Sequence, residues 1–109
     1  MDYNKTFVDF LELTEFALSK QDDGTYSLVD MQHANLGDIE SDRFETAEAI
    51  ACRMDTYIHD YLLDDEEWGE YDTCEQALRE CPNHPCKPIL EMLAYHINEV
   101  DLNKAYGMI

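Results

Sequence analysis

Between Arg53 and Arg79 the chain has no Lys or Arg, yet nine acids fall there: Asp55, Asp60, Asp64, Asp65, Glu66, Glu67, Glu70, Asp72 and Glu75. Like charges at this density repel one another and oppose compaction. The same stretch holds Tyr57, Tyr61, Trp68 and Tyr71. Disordered acidic tails lack such aromatic residues, so the stretch is expected to be mostly folded. Whatever this chain folds into must carry a dense acidic face on ordered elements.

The whole sequence shares the bias: 25 Asp and Glu against 7 Lys and Arg, a formal charge of -18 on 109 residues. At 45% hydrophobic and 11% aromatic residues it can bury a core without staples, which are needed mainly below roughly 70–80 residues. One domain is expected over 1–109, with 103–109 as a loose tail. The N-terminus has no basic segment followed by an apolar run, and no apolar stretch reaches the roughly 18–20 residues of a membrane span. These features predict a cytoplasmic protein with reduced cysteines. Its charge predicts neither membrane contact nor direct contact with nucleic acid, since both repel an anion.

Periodicity places the elements. Asn4 is a candidate helix cap, and Phe7, Phe10, Leu11 and Thr14 follow at helical spacing. Gln21-Asp22-Asp23-Gly24 is a turn signal between Glu15–Lys20 and the β-rich Thr25–Met31. A hairpin satisfies both flanks; the competing reading extends the first helix to Ser19. Residues 32–42 read as an irregular loop in which Asn35 and Gly37 suit positive φ. Thr46 is a good N-cap with Glu48 in the first turn. Ile50, Met54, Tyr57, Ile58 and Tyr61 then form one stripe, with the helix ending near Leu63. Asp64–Asp72 is an acidic connector. Thr73 caps a short helix through Glu80, two prolines stiffen Cys81–Cys86, and Pro88 opens a last helix with Leu90, Leu93, Ile97 and Val100 inward. The fold class is α+β, a mainly helical single domain with a small antiparallel hairpin or sheet.

Three constellations are chemically suggestive. The first is the carboxylate row. Helix-face neighbours three and four apart sit about 5–6 Å from each other, which resembles neighbouring phosphates on one nucleic-acid strand. Asp55, Asp60, Asp64, Asp65, Glu66, Glu67, Glu70 and Asp72, continued through a rigid connector, imitate such a track. Trp68 among them either anchors the connector inward or offers a contact hot spot, and with its neighbouring carboxylates it is the expected contact site for a partner. The bland alternative is a solvated face that keeps the protein soluble. The second constellation is Cys74, Cys81, His84 and Cys86, all able to bind zinc, though at spacings that match no common finger. Cys81 and Cys86 would alternatively close a disulfide, and Cys74 and Cys81 would alternatively be small core residues. Cys52 reads as a packing residue. The third is a calcium-loop pattern, with Asp64, Glu66, Gly69, Asp72 and Glu75 at EF-hand positions but Trp68 where an oxygen ligand belongs.

Catalysis finds little support. His33, His59, His84 and His96 are scattered, with His59 placed to pair with Asp55 and His96 beside the last apolar stripe. No glycine-rich phosphate loop or serine elbow occurs.

Tyr26-Ser-Leu-Val-Asp30, then Gln32 and Ala34-Asn-Leu-Gly-Asp-Ile39, and the run Arg53-Met-Asp-Thr-Tyr-Ile-His-Asp-Tyr61, resemble small acidic proteins carried by conjugative elements and phages of Firmicutes. The resemblance covers the middle third of the chain. It implies an origin on a mobile element, where acidic antirestriction and anti-CRISPR inhibitors that mimic DNA occur, and it implies no catalytic residue. The expected function is a non-enzymatic inhibitor that needs no cofactor. It would occupy the basic nucleic-acid groove of a host defence protein, such as an RNA-guided nuclease or a restriction enzyme. The alternative is a small zinc-stabilised interaction domain organised by the cysteine loop.

Overall fold

The computed structural model describes residues 2–31 and 42–108. The first helix, α1 (Tyr3–Leu13), begins ahead of where a cap at Asn4 would place it. Asp2 is the cap, and its Oδ1 accepts from the backbone N–H groups of Asn4 at 3.0 Å and Lys5 at 3.3 Å. Starting there adds helical residues without changing the buried face of Phe7, Phe10 and Leu11. The Asn4 side chain instead ties the two ends of the chain together, its Oδ1 accepting from the Asp101 N–H at 2.7 Å. Thr14 closes α1, and its hydroxyl donates back to the Phe10 carbonyl.

The chain then turns into the hairpin rather than a longer helix. Strands β1 (Phe16–Lys20) and β2 (Tyr26–Asp30) pair antiparallel, with Phe16 opposite Asp30 and Lys20 opposite Tyr26. At the turn, Gly24 adopts φ 88° and Asp23 accepts from the Thr25 N–H at 2.9 Å. Alternation sends Phe16, Leu18, Tyr26 and Leu28 into the core. The loop read from the sequence over 32–42, with Asn35, Gly37 and the Gln32 to Ile39 part of the resemblance, lies outside the described residues up to residue 41.

Thr46 caps α2 (Ala47–Arg53), its hydroxyl accepting from the Ala49 N–H at 3.1 Å. The helical run continues as α3 (Asp55–Ile58) and a π turn over His59–Leu63, ending where expected. The π turn changes the phase. One wider turn rotates the following residues around the axis, so Leu62 and Leu63 are buried and Tyr61, expected on the stripe, is exposed. The short strands β3 (Asp64–Asp65) and β4 (Gly69–Glu70) follow as a second antiparallel hairpin, then α4 (Cys74–Glu80), and α5 (Lys87–Glu91) with Pro88 in its first turn. A second π turn, Met92–His96, again shifts the stripe: Met92 and Leu90 are fully buried, whereas Leu93, Ile97 and Val100 are half-buried.

The expected loose tail from residue 103 is instead helix. Asp101 caps α6 (Leu102–Tyr106), and Leu102 and Ala105 are buried against the rest of the molecule. The signal was too short to show periodicity, but α6 packs on α1 and β1. α1 sits at the centre. Phe7 and Phe10 belong to one apolar cluster with Leu28, Ile50, Met54, Leu90 and Met92, all fully buried. The architecture is α+β and mainly helical, with two small antiparallel hairpins. No helix among the described residues is long and apolar enough to cross a membrane.

Candidate functional site: an acidic hairpin fixed to the helical core

The acidic connector is an ordered β-hairpin. Its register sets Asp64 opposite Glu70 and Asp65 opposite Gly69. At the tip, Asp65 Oδ1 accepts from the Glu67 N–H at 2.7 Å, an Asx-type turn. Gly69 has φ 104°, a conformation that favours glycine, and a β-carbon there would lie 3.0 Å from the Tyr71 hydroxyl oxygen, so that ring would have to shift slightly. The Tyr71 hydroxyl donates to the Trp68 carbonyl. Beyond the hairpin, Thr73 Oγ1 accepts from the Gln76 N–H at 3.0 Å while Gln76 Oε1 accepts from the Asp72 N–H at 2.7 Å. This reciprocal cap fixes the start of α4.

Two contacts lock the hairpin to the end of the preceding helical run. The last carbonyls of a helix have no partner within it. Here the Leu63 carbonyl accepts from the Tyr71 N–H at 2.8 Å, and the Leu62 carbonyl lies 2.9 Å from His84 Nε2. The Cys86 N–H donates to His84 Nδ1 at 3.0 Å, so the ring proton sits on Nε2 and is donated to Leu62. His84 is only 3% exposed, and the Trp68 ring packs over it with centroids 4.5 Å apart. Trp68 is half-buried. It is thus first an anchor of the hairpin, the inward alternative left open by the sequence.

The carboxylates occupy three settings. Glu66 and Glu67 are exposed at the hairpin tip, with Asp65 half-buried beside them. Asp64, Glu70 and Asp72 line a polar hollow of about 330 Å³ together with His59 and Tyr71. Asp55 and Asp72 stand on the rim of a groove of about 350 Å³ between the helices, floored by apolar side chains that include Ile58, Leu63, Leu93 and Ile97. Asp72 joins the hollow to the groove. Asp60 is exposed on the π turn and lines neither. Among the described residues, none of the nine acids between Arg53 and Arg79 pairs with Lys or Arg. Asp55 has His59 at 3.9 Å, as its i,i+4 spacing suggested, whereas Arg53 is taken by Asp42 at 2.8 Å. The groove also adds Glu48 and Glu75, which the sequence reading left out of the site. Glu48 lies seven residues before Asp55, on the same helix face, and that spacing was a readable signal.

The cysteines and His84 do not assemble as a ligand set. Both nitrogens of His84 are already engaged, and among the described residues no group of three or more His, Cys, Asp or Glu is placed to hold a metal ion. Cys81 and Cys86 are free thiols rather than a disulfide. Burial, reinforced by the Asp55 charge, pushes the Cys74 thiol up to about 11, so it stays protonated at neutral pH. Cys52, read as a packing residue, is exposed and lines the groove. The calcium-loop pattern is not realised either: residues 64–70 form the hairpin, and Trp68 turns inward onto His84. His96 stacks on Tyr3 with centroids 4.3 Å apart. In comparison with known proteins, the chain matches no family model, no curated protein and no solved structure.

Proposed function

We propose that this protein is a non-enzymatic acidic inhibitor. It mimics nucleic acid and blocks the basic nucleic-acid groove of a host defence nuclease of the kind that restricts or cuts foreign DNA. The observation that carries this reading is the Asp64–Glu70 pair. Two like charges face each other across a hairpin, an arrangement that destabilises a sheet, and among the described residues no Lys or Arg relieves it. A face kept only for solubility has no need of acids in register on a clamped element. A mimic does, because its charges must be fixed in space before it meets the partner.

In this reading Asp64, Asp65, Glu66, Glu67, Glu70 and Asp72 stand in for phosphates, with Asp55 and Asp60 extending the track along the helical run. The partner supplies Lys and Arg, whose long-range attraction speeds encounter and whose contacts depend on salt. Trp68 holds the hairpin in shape. The deciding experiment is inhibition by the variant Asp64→Asn, Asp65→Asn, Glu66→Gln, Glu67→Gln. Asn at 65 keeps the oxygen that accepts from Glu67, so the tip should survive. The partner is first captured from host lysate at low salt and released by stepped salt. The variant is then expected to fold and to lose at least about tenfold in affinity for it. Undiminished binding by the folded variant would remove the hairpin from the site.

A further inference from the structure

We infer that the groove between the α2–α3 run and the second π turn is a docking site for a basic amphipathic helix of a partner protein. The helix would lay its apolar face on the floor and its Lys and Arg against the rim. The floor is the first reason. Leu93 and Ile97 carry the apolar period of the last helix, which assigns them to the core beside Leu90. The π turn at Met92–His96 shifts the phase. Leu90 and Met92 are fully buried as a result, while Leu93 and Ile97 stay half-buried and line the groove. Ile58 and Leu63 supply the floor from the other helical run, and at 7% and 2% exposed they are fixed core residues. A π turn thus interrupts each of the two runs that meet here, and such turns recur at functional sites. Their combined effect is an apolar floor in a groove of about 350 Å³ that the protein's own core leaves uncovered.

Charge complementarity names the occupant. Glu48 and Asp55 stand on the rim from the α2–α3 run, seven residues apart on one helix face. Asp72 and Glu75 stand there from the start of α4. All of them are exposed, and among the described residues none pairs with Lys or Arg. Asp55 has His59 at 3.9 Å, and Arg53 is held by Asp42 at 2.8 Å. Nucleic acid and anionic lipid share the sign of this rim and are repelled by it. A second copy of the chain carries the same charge of -18. An uncharged apolar ligand would cover the floor and leave the carboxylates without counter-charge. An extended segment finds no edge to pair with, since the Tyr71 N–H donates to the Leu63 carbonyl and the Asp72 N–H to Gln76 Oε1. A helix with apolar residues three and four apart and basic residues beside them meets floor and rim together, the usual mode for a groove between helices. Lys and Arg can lay their stems over the apolar lip while their heads reach the carboxylates. This site is separate from the hairpin tip: Asp65, Glu66 and Glu67 do not line it.

The probe is a peptide of about 15 residues built of Leu and Lys only, with Leu at helical spacing. It is titrated into the intact protein at about 150 mM salt and followed by amide chemical shifts. Saturable shifts are expected at 48–58, 63, 72–75 and 93–97. A shuffled peptide of the same composition, and an amphipathic one with Gln in place of Lys, should each bind at least about tenfold more weakly. Glu48→Gln with Glu75→Gln keeps the floor and should also weaken binding about tenfold. Ile97→Gln should do the same from the floor, and the amide spectrum of each variant reports that it is folded. The variant Asp64→Asn, Asp65→Asn, Glu66→Gln, Glu67→Gln should bind the peptide nearly as the wild type does, which separates this site from the nuclease reading. The site would be overturned by the absence of saturable shifts up to about 1 mM peptide, by shifts centred on the hairpin tip, or by equal binding of the shuffled peptide. Unchanged binding in folded Glu48→Gln, Glu75→Gln would overturn it too. Equal binding of the Gln peptide would overturn the assignment to a basic partner. Shifts at the same residues on concentrating the protein alone would give the groove to a second copy instead.

Discussion

At the scale of single residues, His84 does more than its place in a cysteine-rich loop suggested. It donates to the Leu62 carbonyl, accepts from the Cys86 N–H and supports Trp68. Replacing it with Ala leaves the buried Leu62 carbonyl and the part-buried Cys86 N–H without their partner and undercuts the indole. His84→Ala is expected to cost about 2–4 kcal/mol in chemical denaturation. Trp68 is the one tryptophan, so its emission reports the same event: a red shift in the folded variant is expected. An unchanged spectrum and midpoint would mean that the hairpin is held by other contacts. Cys74 gives a pH prediction. Its thiol, ordinarily near 9.0, is raised to about 11, first by burial and then by Asp55. The native state therefore keeps a proton that the unfolded chain loses, and stability must fall as pH rises through that interval. The loss approaches about 2–3 kcal/mol by the upper end. Cys74→Ala should flatten this part of the profile, and in thiol labelling near pH 8 Cys52 should react well before Cys74.

At the scale of elements, the signals that could be read were local ones. Thr46 and Thr73 are caps in the sequence and in the structure. The hairpin around Gly24 follows from turn chemistry flanked by β-rich residues. What stayed hidden depended on distant partners. The π turns at His59–Leu63 and Met92–His96 swap Tyr61 for Leu62 and bring Met92 inward, and a 3.6-residue period cannot show a change of period. Helix α6 is five residues long and owes its order to α1 and β1. The hairpin at 64–70 has two-residue strands, too short to alternate. The candidate acids were legible as a charge run, yet their grouping into a tip, a hollow and a groove rim was not, since Glu48, Asp72 and Glu75 meet only after folding. Gly69→Ala meets positive φ and the Tyr71 hydroxyl at once, and should lower the melting temperature while leaving α1 and the first hairpin protected in hydrogen exchange. Asp64→Asn should do the opposite, raising the melting temperature by removing the repulsion with Glu70 while weakening partner binding. A variant that lost stability and kept full binding would show that the facing pair has a structural role.

At the scale of the whole molecule, the charge is unevenly placed. Among the described residues Lys5, Arg53 and Lys87 pair with acids outside the hairpin, and the carboxylates of the hairpin and the adjoining groove have no Lys or Arg partner. An inhibitor acting through that face competes with nucleic acid for the same cations, so the two ligands should exclude each other and respond to salt in the same direction. The most direct measurement is displacement of labelled nucleic acid from the captured partner, titrated with the wild type and with the hairpin variant at 50 and 300 mM salt, or roughly that span. The account predicts full displacement by the wild type at low salt, weakening at least about tenfold at high salt, and little displacement by the variant. Equal displacement by wild type and variant, or wild-type binding that leaves the nucleic acid in place, would contradict it.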